Sequence, residues 1–120
     1  MIKKVMIIDD EQSVCELLTQ VLTKANYSAS SETDPIKAIE HIYKDKPDCI
    51  LLDIKMPKIS GVELLAKIKE FDASIKVIMI TGYGNLENAM ESMKLGAFDY
   101  ITKPFDLEFI RTVVANSLKV

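Results

Sequence analysis

The 120-residue chain has no long hydrophobic run: its longest apolar stretches are about five residues, far below the ~18 needed to span a bilayer. The opening segment, Met1 to Ile8, is too short for a signal peptide, so a cytoplasmic location is expected. Cysteine is scarce. Cys15 and Cys49 form no CxxC pair, and Cys49 sits in an apolar stretch, so both are read as reduced, packed thiols without a redox or metal role. Runs of Lys or Arg are missing and the formal net charge is −3, which argues against general binding to a nucleic-acid backbone. The one histidine, His41, is read as an exposed helix residue. Linkers, repeats and low-complexity segments are also absent. What is present, 48% hydrophobic and 28% charged residues, suits one globular domain over residues 1–120.

Three near-continuous apolar runs, Lys4–Ile8, Cys49–Leu52 and Lys76–Ile80, read as strands buried on both faces, which belong in a parallel sheet. Ser28–Glu32 and Phe98–Ile101 are more polar and read as its edge strands. Helices fill the gaps. The first, about Ser13–Ala25, carries Val14, Leu17, Leu18, Val21, Leu22 and Ala25 on one stripe expected to face the sheet. The second follows the cap-and-proline signal Asp34-Pro35, and the third follows Ser60-Gly61. The fourth runs from about Leu86 to Leu95 before Gly96, and the fifth from near Asp106 to the chain end. This α/β order is a (βα)5 unit: a doubly wound, five-stranded parallel sheet with expected strand order 2-1-3-4-5. Ligands in such sheets bind at the carboxyl edge where the first and third strands diverge.

The strand ends carry chemistry. The first, third, fourth and fifth apolar segments run into Asp9-Asp10, Asp53, Thr81 and Lys103, and the fold gathers them at that edge. Singly, an Asp there is a helix cap, the Thr a turn hydroxyl and the Lys a solvated side chain. Together, three carboxylates, a hydroxyl and an ammonium suit magnesium-assisted phosphoryl transfer, because a divalent cation offsets the repulsion between a carboxylate and an incoming phosphoryl group. Crowding of Asp9, Asp10 and Asp53 also implies that at least one holds its proton more tightly without metal. A flavin carrier on this fold is disfavoured because Asp9-Asp10-Glu11 would repel a phosphate lacking a metal.

Ile7-Ile8-Asp9-Asp10-Glu11, Leu51-Leu52-Asp53-Ile54-Lys55-Met56-Pro57 with Gly61, Ile80-Thr81-Gly82 and Lys103-Pro104-Phe105 resemble, in order and over the whole chain, the receiver domains of two-component response regulators. The resemblance implies a flavodoxin-like fold and a signalling role rather than that of a metabolic enzyme. Asp53 is then the phosphoacceptor for a sensor histidine kinase or histidine phosphotransfer protein. Mg2+, with Mn2+ as a substitute, is held by Asp10, Asp53 and the backbone carbonyl of Lys55, with Asp9 reached through water. Lys103 pairs with Asp53 at rest and with a phosphoryl oxygen afterwards, and the Lys103-Pro104 bond is cis. Thr81 and Tyr100 match the family's switch positions, which makes the fourth helix, fifth strand and fifth helix the readout face. Lys55, two residues after Asp53, and Tyr83, two after Thr81, are expected to flank the path of attacking water, where bulk should slow self-dephosphorylation.

Partner surfaces are expected in two places. Val14, Leu17 and Val21 on the first helix are candidates for docking a kinase or phosphotransfer protein, against the alternative that they are core. Lys94, Asp99 and Arg111 are candidates for ion pairs in a homodimer through the readout face. The segment Ala97-Phe98-Asp99-Tyr100 resembles receivers of nitrogen-regulation-type activators, whereas Lys55 with Tyr83 resembles single-domain sporulation-relay receivers. A module of a longer regulator with an output domain and a stand-alone relay protein both fit. A magnesium-dependent phosphatase with an aspartyl nucleophile is the alternative of another class; the haloacid-dehalogenase pattern wants a second Asp two residues after the first, and Lys55 stands there.

Overall fold

The computed structural model describes residues 2–82 and 86–119. Five strands alternate with five helices: β1 (Lys4–Ile8), α1 (Gln12–Lys24), β2 (Ser28–Glu32), α2 (Pro35–Asp45), β3 (Cys49–Asp53), α3 (Gly61–Phe71), β4 (Lys76–Thr81), α4 (Leu86–Lys94), β5 (Asp99–Thr102) and α5 (Leu107–Ser117). All strand pairs are parallel and the order is β2-β1-β3-β4-β5, as expected. No helix among the described residues is long and apolar enough to cross a membrane.

The sheet divides the core by side-chain parity, since successive strand residues point to opposite faces. Met6, Ile8, Ile50, Leu52, Val77 and Met79 pack with Ala38 and Ile42 of α2 and Leu64, Leu65 and Ile68 of α3. Their alternates Val5, Ile7, Cys49, Leu51, Ile78 and Ile80 pack with Cys15, Leu18 and Leu22 of α1 and Ile110, Val113 and Val114 of α5. Two helix-covered faces explain why β1, β3 and β4 read as unbroken apolar runs. At the edge, β2 has no buried residue: Ser28 and Ser30 are exposed, and Ala29, Ser31 and Glu32 half-buried.

Helix starts follow their signals. The Asp34 carboxylate accepts from the Ile36 N–H at 2.9 Å with Pro35 in the first turn, and Ser60 Oγ accepts from the Glu63 N–H at 3.2 Å. The Gly96 backbone is left-handed (φ 100°), with its N–H bonded to the Met93 carbonyl and the Ala97 N–H to that of Ser92, which closes α4. Three expectations need correction. α5 stops at Ser117 rather than the chain end, where Leu118 leaves helical geometry (ψ 3°). β5 is shifted by one residue, Asp99–Thr102 rather than Phe98–Ile101, because its ladder with β4 begins at the Ile78–Asp99 pair and ends at Thr81–Thr102. In α1 the sheet-facing stripe is centred on Cys15, Leu18 and Leu22, which rotates Leu17 out to 42% exposure.

Candidate functional site

Register places the polar residues in a short staircase. Ile8 pairs with Leu52, Asp53 with Ile80, and Thr81 with Thr102. Asp9 therefore follows β1 beside Asp53, Thr81 lies one step beyond Asp53's partner, and Lys103 one step beyond Thr102. The Lys103 N–H closes the edge with a 2.6 Å bond to the Thr81 carbonyl. Parity sorts them further: Asp53 and Ile101 continue the face of α1 and α5, and Thr81 and Tyr100 that of α3 and α4. Tyr100 packs, half-buried, against the α2–α3 side of the core.

One ligand atom from each of Asp9, Asp10 and Asp53 lies within 4.8 Å of the others. Asp9 and Asp53 are buried, and Asp10 is exposed at the mouth. Asp9 is fixed on two sides: Oδ1 accepts from the Glu11 N–H at 2.9 Å and Oδ2 from the Lys103 ammonium at 2.9 Å. The Cys15 thiol donates to the Asp9 carbonyl at 3.3 Å.

Asp53 sits where water is scarce and charge is crowded. Burial first, then the neighbouring Asp9 charge and more weakly Asp10, push its carboxyl up to about 7, against the opposing pull of Lys103 and a hydrogen bond from the Lys55 backbone. This meets the expectation that one of the three acids holds its proton unusually tightly. For Lys103, burial works to lower the pKa, but the hydrogen bond and charge of Asp9, with Asp53 and Glu11, outweigh it and hold the ammonium above its ordinary value. Three clustered carboxylates, crowded enough to raise the pKa of Asp53, offer the hard oxygen donors that suit a divalent cation such as Mg2+.

Gly61 protects this geometry. A Cβ built there would lie 2.2 Å from the Asp53 carbonyl oxygen and 2.6 Å from the Ile54 Cα, and the Gly61 N–H bonds to the Ile54 carbonyl at 2.7 Å. No other residue lets α3 start so close behind β3. The Lys103-Pro104 bond is cis.

The expected Lys103–Asp53 pair is present, but it is the longest of three that the ammonium makes. The ammonium lies 2.9 Å from Asp9, 3.5 Å from Glu11 and 4.0 Å from Asp53, so at rest Asp9 holds it and Asp53 is the most distant of the three. Sequence reasoning missed Glu11 as a partner, although its place directly after Asp9-Asp10 signalled it. His41 is exposed as read, and additionally stands 3.3 Å from Glu32 at the end of β2. Val14 and Val21 are half-buried and Leu17 exposed. Arg111 pairs within its own helix with Glu108 at 2.7 Å, Asp99 accepts from the Tyr100 N–H, and Lys94 is exposed at the end of α4. Tyr83 lies outside the described residues. Both cysteines are free and buried, and burial pushes the Cys49 thiol up to about 11.

Comparison with known proteins gives the family. The family model for the response regulator receiver domain matches residues 5–115. The chain is 37% identical to sporulation initiation phosphotransferase F of Bacillus subtilis over 116 residues, covering 97% of this chain and 94% of that protein. It is 36% identical to the response regulator protein PilR of Pseudomonas aeruginosa, covering 98% of this chain but only 26% of that protein. A crystal structure of a CheY-like receiver domain protein from Methanospirillum hungatei superimposes with a TM-score of 0.95 at 30% identity, covering 98% of this chain and 94% of that one. The chain belongs to the response regulator receiver domain family. Its relatives include both stand-alone receivers and receiver domains of longer regulators, of which it spans about a quarter.

Proposed function

We propose that this receiver accepts a phosphoryl group on Asp53 from a phosphohistidine of a sensor kinase or phosphotransfer protein, and reports it through α4, β5 and α5. The observation carrying this reading is the buried Asp53 carboxyl group clustered with Asp9 and Asp10, with the Lys103 ammonium 4.0 Å away. Asp10, Asp53 and the Lys55 carbonyl would hold a Mg2+ ion, with Asp9 behind a water; when bound, the ion supplies positive charge that offsets repulsion between carboxylate and phosphoryl oxygens.

The remaining steps belong to the chain. An Asp53 carboxylate oxygen attacks phosphorus as the bond to the donor nitrogen breaks, leaving an acyl phosphate. Lys103 pivots from Asp9 towards a phosphoryl oxygen, a movement its flexible stem allows. Thr81, at the end of β4, donates its hydroxyl to another phosphoryl oxygen and draws the following loop inward. Tyr100, on the same face as Thr81, then turns into the space vacated. Because the new contacts are better made in the inward arrangement, phosphorylation shifts the population towards it. Val14, Leu17 and Val21 form the rim on which the donor docks. Lys94, Asp99 and Arg111 lie on the readout face, where exposed ion pairs worth ~0–1 kcal/mol each would set the register of a homodimer without driving it. Lys55 and Tyr83 restrict attacking water.

The test is intact-mass spectrometry after incubation with phosphoramidate, with and without Mg2+, on wild type and Asp53→Asn. A metal-dependent gain of one phosphoryl group, about 80 Da, that disappears in Asp53→Asn is expected. No gain in wild type, or an equal gain in the variant, would contradict the assignment.

A further inference from the structure

The Lys103 ammonium has a partner that this chemistry leaves unused. Glu11 Oε1 lies 3.5 Å away, nearer than the Asp53 carboxylate at 4.0 Å. Glu11 occupies the solvent side, with its side chain 60% exposed, while that of Asp53 is 6% exposed. Its backbone is anchored: the N–H donates to Asp9 Oδ1, and the carbonyl accepts from the Val14 and Cys15 N–H groups at 3.1 and 3.2 Å in the first turn of α1. The anchored backbone fixes where the side chain starts, and from there its carboxylate reaches the ammonium. Lys103 is therefore drawn outward by Glu11 and inward by Asp53 while Asp9 holds it between them.

We propose that Glu11 is a positioning residue for phosphoryl transfer: a competing carboxylate that keeps the Lys103 ammonium back from Asp53 at rest and so limits its delivery to the incoming phosphoryl oxygen. This rests on the reading of Asp53 as phosphoacceptor. In the transfer an Asp53 O–P bond forms as the donor P–N bond breaks; the nitrogen keeps the electron pair and takes a proton from solvent. Lys103 stays protonated and makes no covalent bond, so the influence of Glu11 lies in where that charge stands. Breaking one exposed charge contact changes a rate by a small factor, and neutralising Glu11 is expected to accelerate adduct formation about threefold.

The test uses the whole chain. Adduct formation with phosphoramidate and Mg2+ is timed in wild type, Glu11→Gln, Lys103→Gln and the double variant. The expected acceleration by Glu11→Gln vanishes in the Lys103→Gln background, because Glu11 acts through the lysine. Equal acceleration in both backgrounds, which is what simple repulsion of the donor would produce, overturns the proposal, as does no acceleration in wild type. A second readout needs neither metal nor donor: the Lys103 13Cε resonance, identified by its loss in Lys103→Gln, is expected to shift in Glu11→Gln, and an unmoved resonance overturns the proposal. Should wild type gain no phosphoryl mass at all, the phosphoacceptor reading falls, while the resonance still decides whether Glu11 holds Lys103.

Discussion

Helices α3 and α4 are neighbours on one face of the same sheet, yet they are held there by different means. α3 buries Leu64, Leu65 and Ile68 and sets Gly61 against the Asp53 carbonyl. α4, among its described side chains, buries only Ser92, whose hydroxyl finds no partner, and leaves Met90 and Met93 53% and 48% exposed. Full burial of an aliphatic side chain is worth about 1.5–3 kcal/mol, whereas an unsatisfied buried hydroxyl costs about 1–3 kcal/mol. The segment that shapes the Asp53 pocket is thus anchored firmly, and the segment beside Thr81 and Tyr100 only lightly. The proposed function uses this difference, since it asks for an acid pocket that is ready before a donor arrives and a face around Thr81 and Tyr100 that can rearrange.

The largest effect expected from breaking this contrast lies in α3. Leu64→Ala should cost about 2–5 kcal/mol in urea unfolding, while Met93→Ala on α4 should stay within about 0.5 kcal/mol. Similar losses from both would mean that α4 is as tightly packed as α3.

A second contrast is between the buried acid pocket and ordinary surface acids. The Asp53 carboxyl titrates near 3.8 when unfolded and about 7 when folded, so the folded state binds the extra proton between those values. The sign follows: stability is greatest below the unfolded value and declines as pH rises through that window, with the loss complete above about 7 and at most about 4 kcal/mol. Without metal, Asp53→Asn should therefore be more stable than wild type near pH 8, and the gap should close towards pH 4. Urea melts in a chelator at several pH values measure this, and a constant gap would place Asp53 in an ordinary solvated setting.

The smallest expected effect sharpens the comparison from the α4 side. Ser92→Ala removes the unpartnered hydroxyl, so it should stabilise the resting helix by about 1 kcal/mol and slow amide exchange in α4 without altering β1 or β3. Destabilisation would show that the hydroxyl is satisfied.

Most of the fold could be read from the chain because period and caps agreed. Apolar runs at Lys4, Cys49 and Lys76 announced strands covered on both faces, and Asp34-Pro35 and Ser60-Gly61 announced helix starts that the structure confirms. The gathering of Asp9, Asp10, Asp53 and Lys103 was legible because topology alone brings those strand ends to one edge. What stayed hidden depends on rotation and distance rather than order. Apolar spacing in α1 spans a broad arc, so it could not say that the helix turns Cys15 inward and Leu17 outward. The choice Lys103 makes among Asp9, Glu11 and Asp53 is a matter of about an ångström, which no spacing encodes. Ser92 gave no signal, since a serine on a short helix is ordinarily placed on its wet face.

The central claim, a firm acid pocket coupled to a lightly held readout face, is tested most directly by hydrogen–deuterium exchange with and without Mg2+ and beryllofluoride, a non-transferable phosphoryl mimic. The account predicts that protection changes concentrate in α4, β5 and the start of α5, while the β1 and β3 amides, already buried, scarcely move. Uniform change across the sheet, or change confined to α2 and α3, would contradict it.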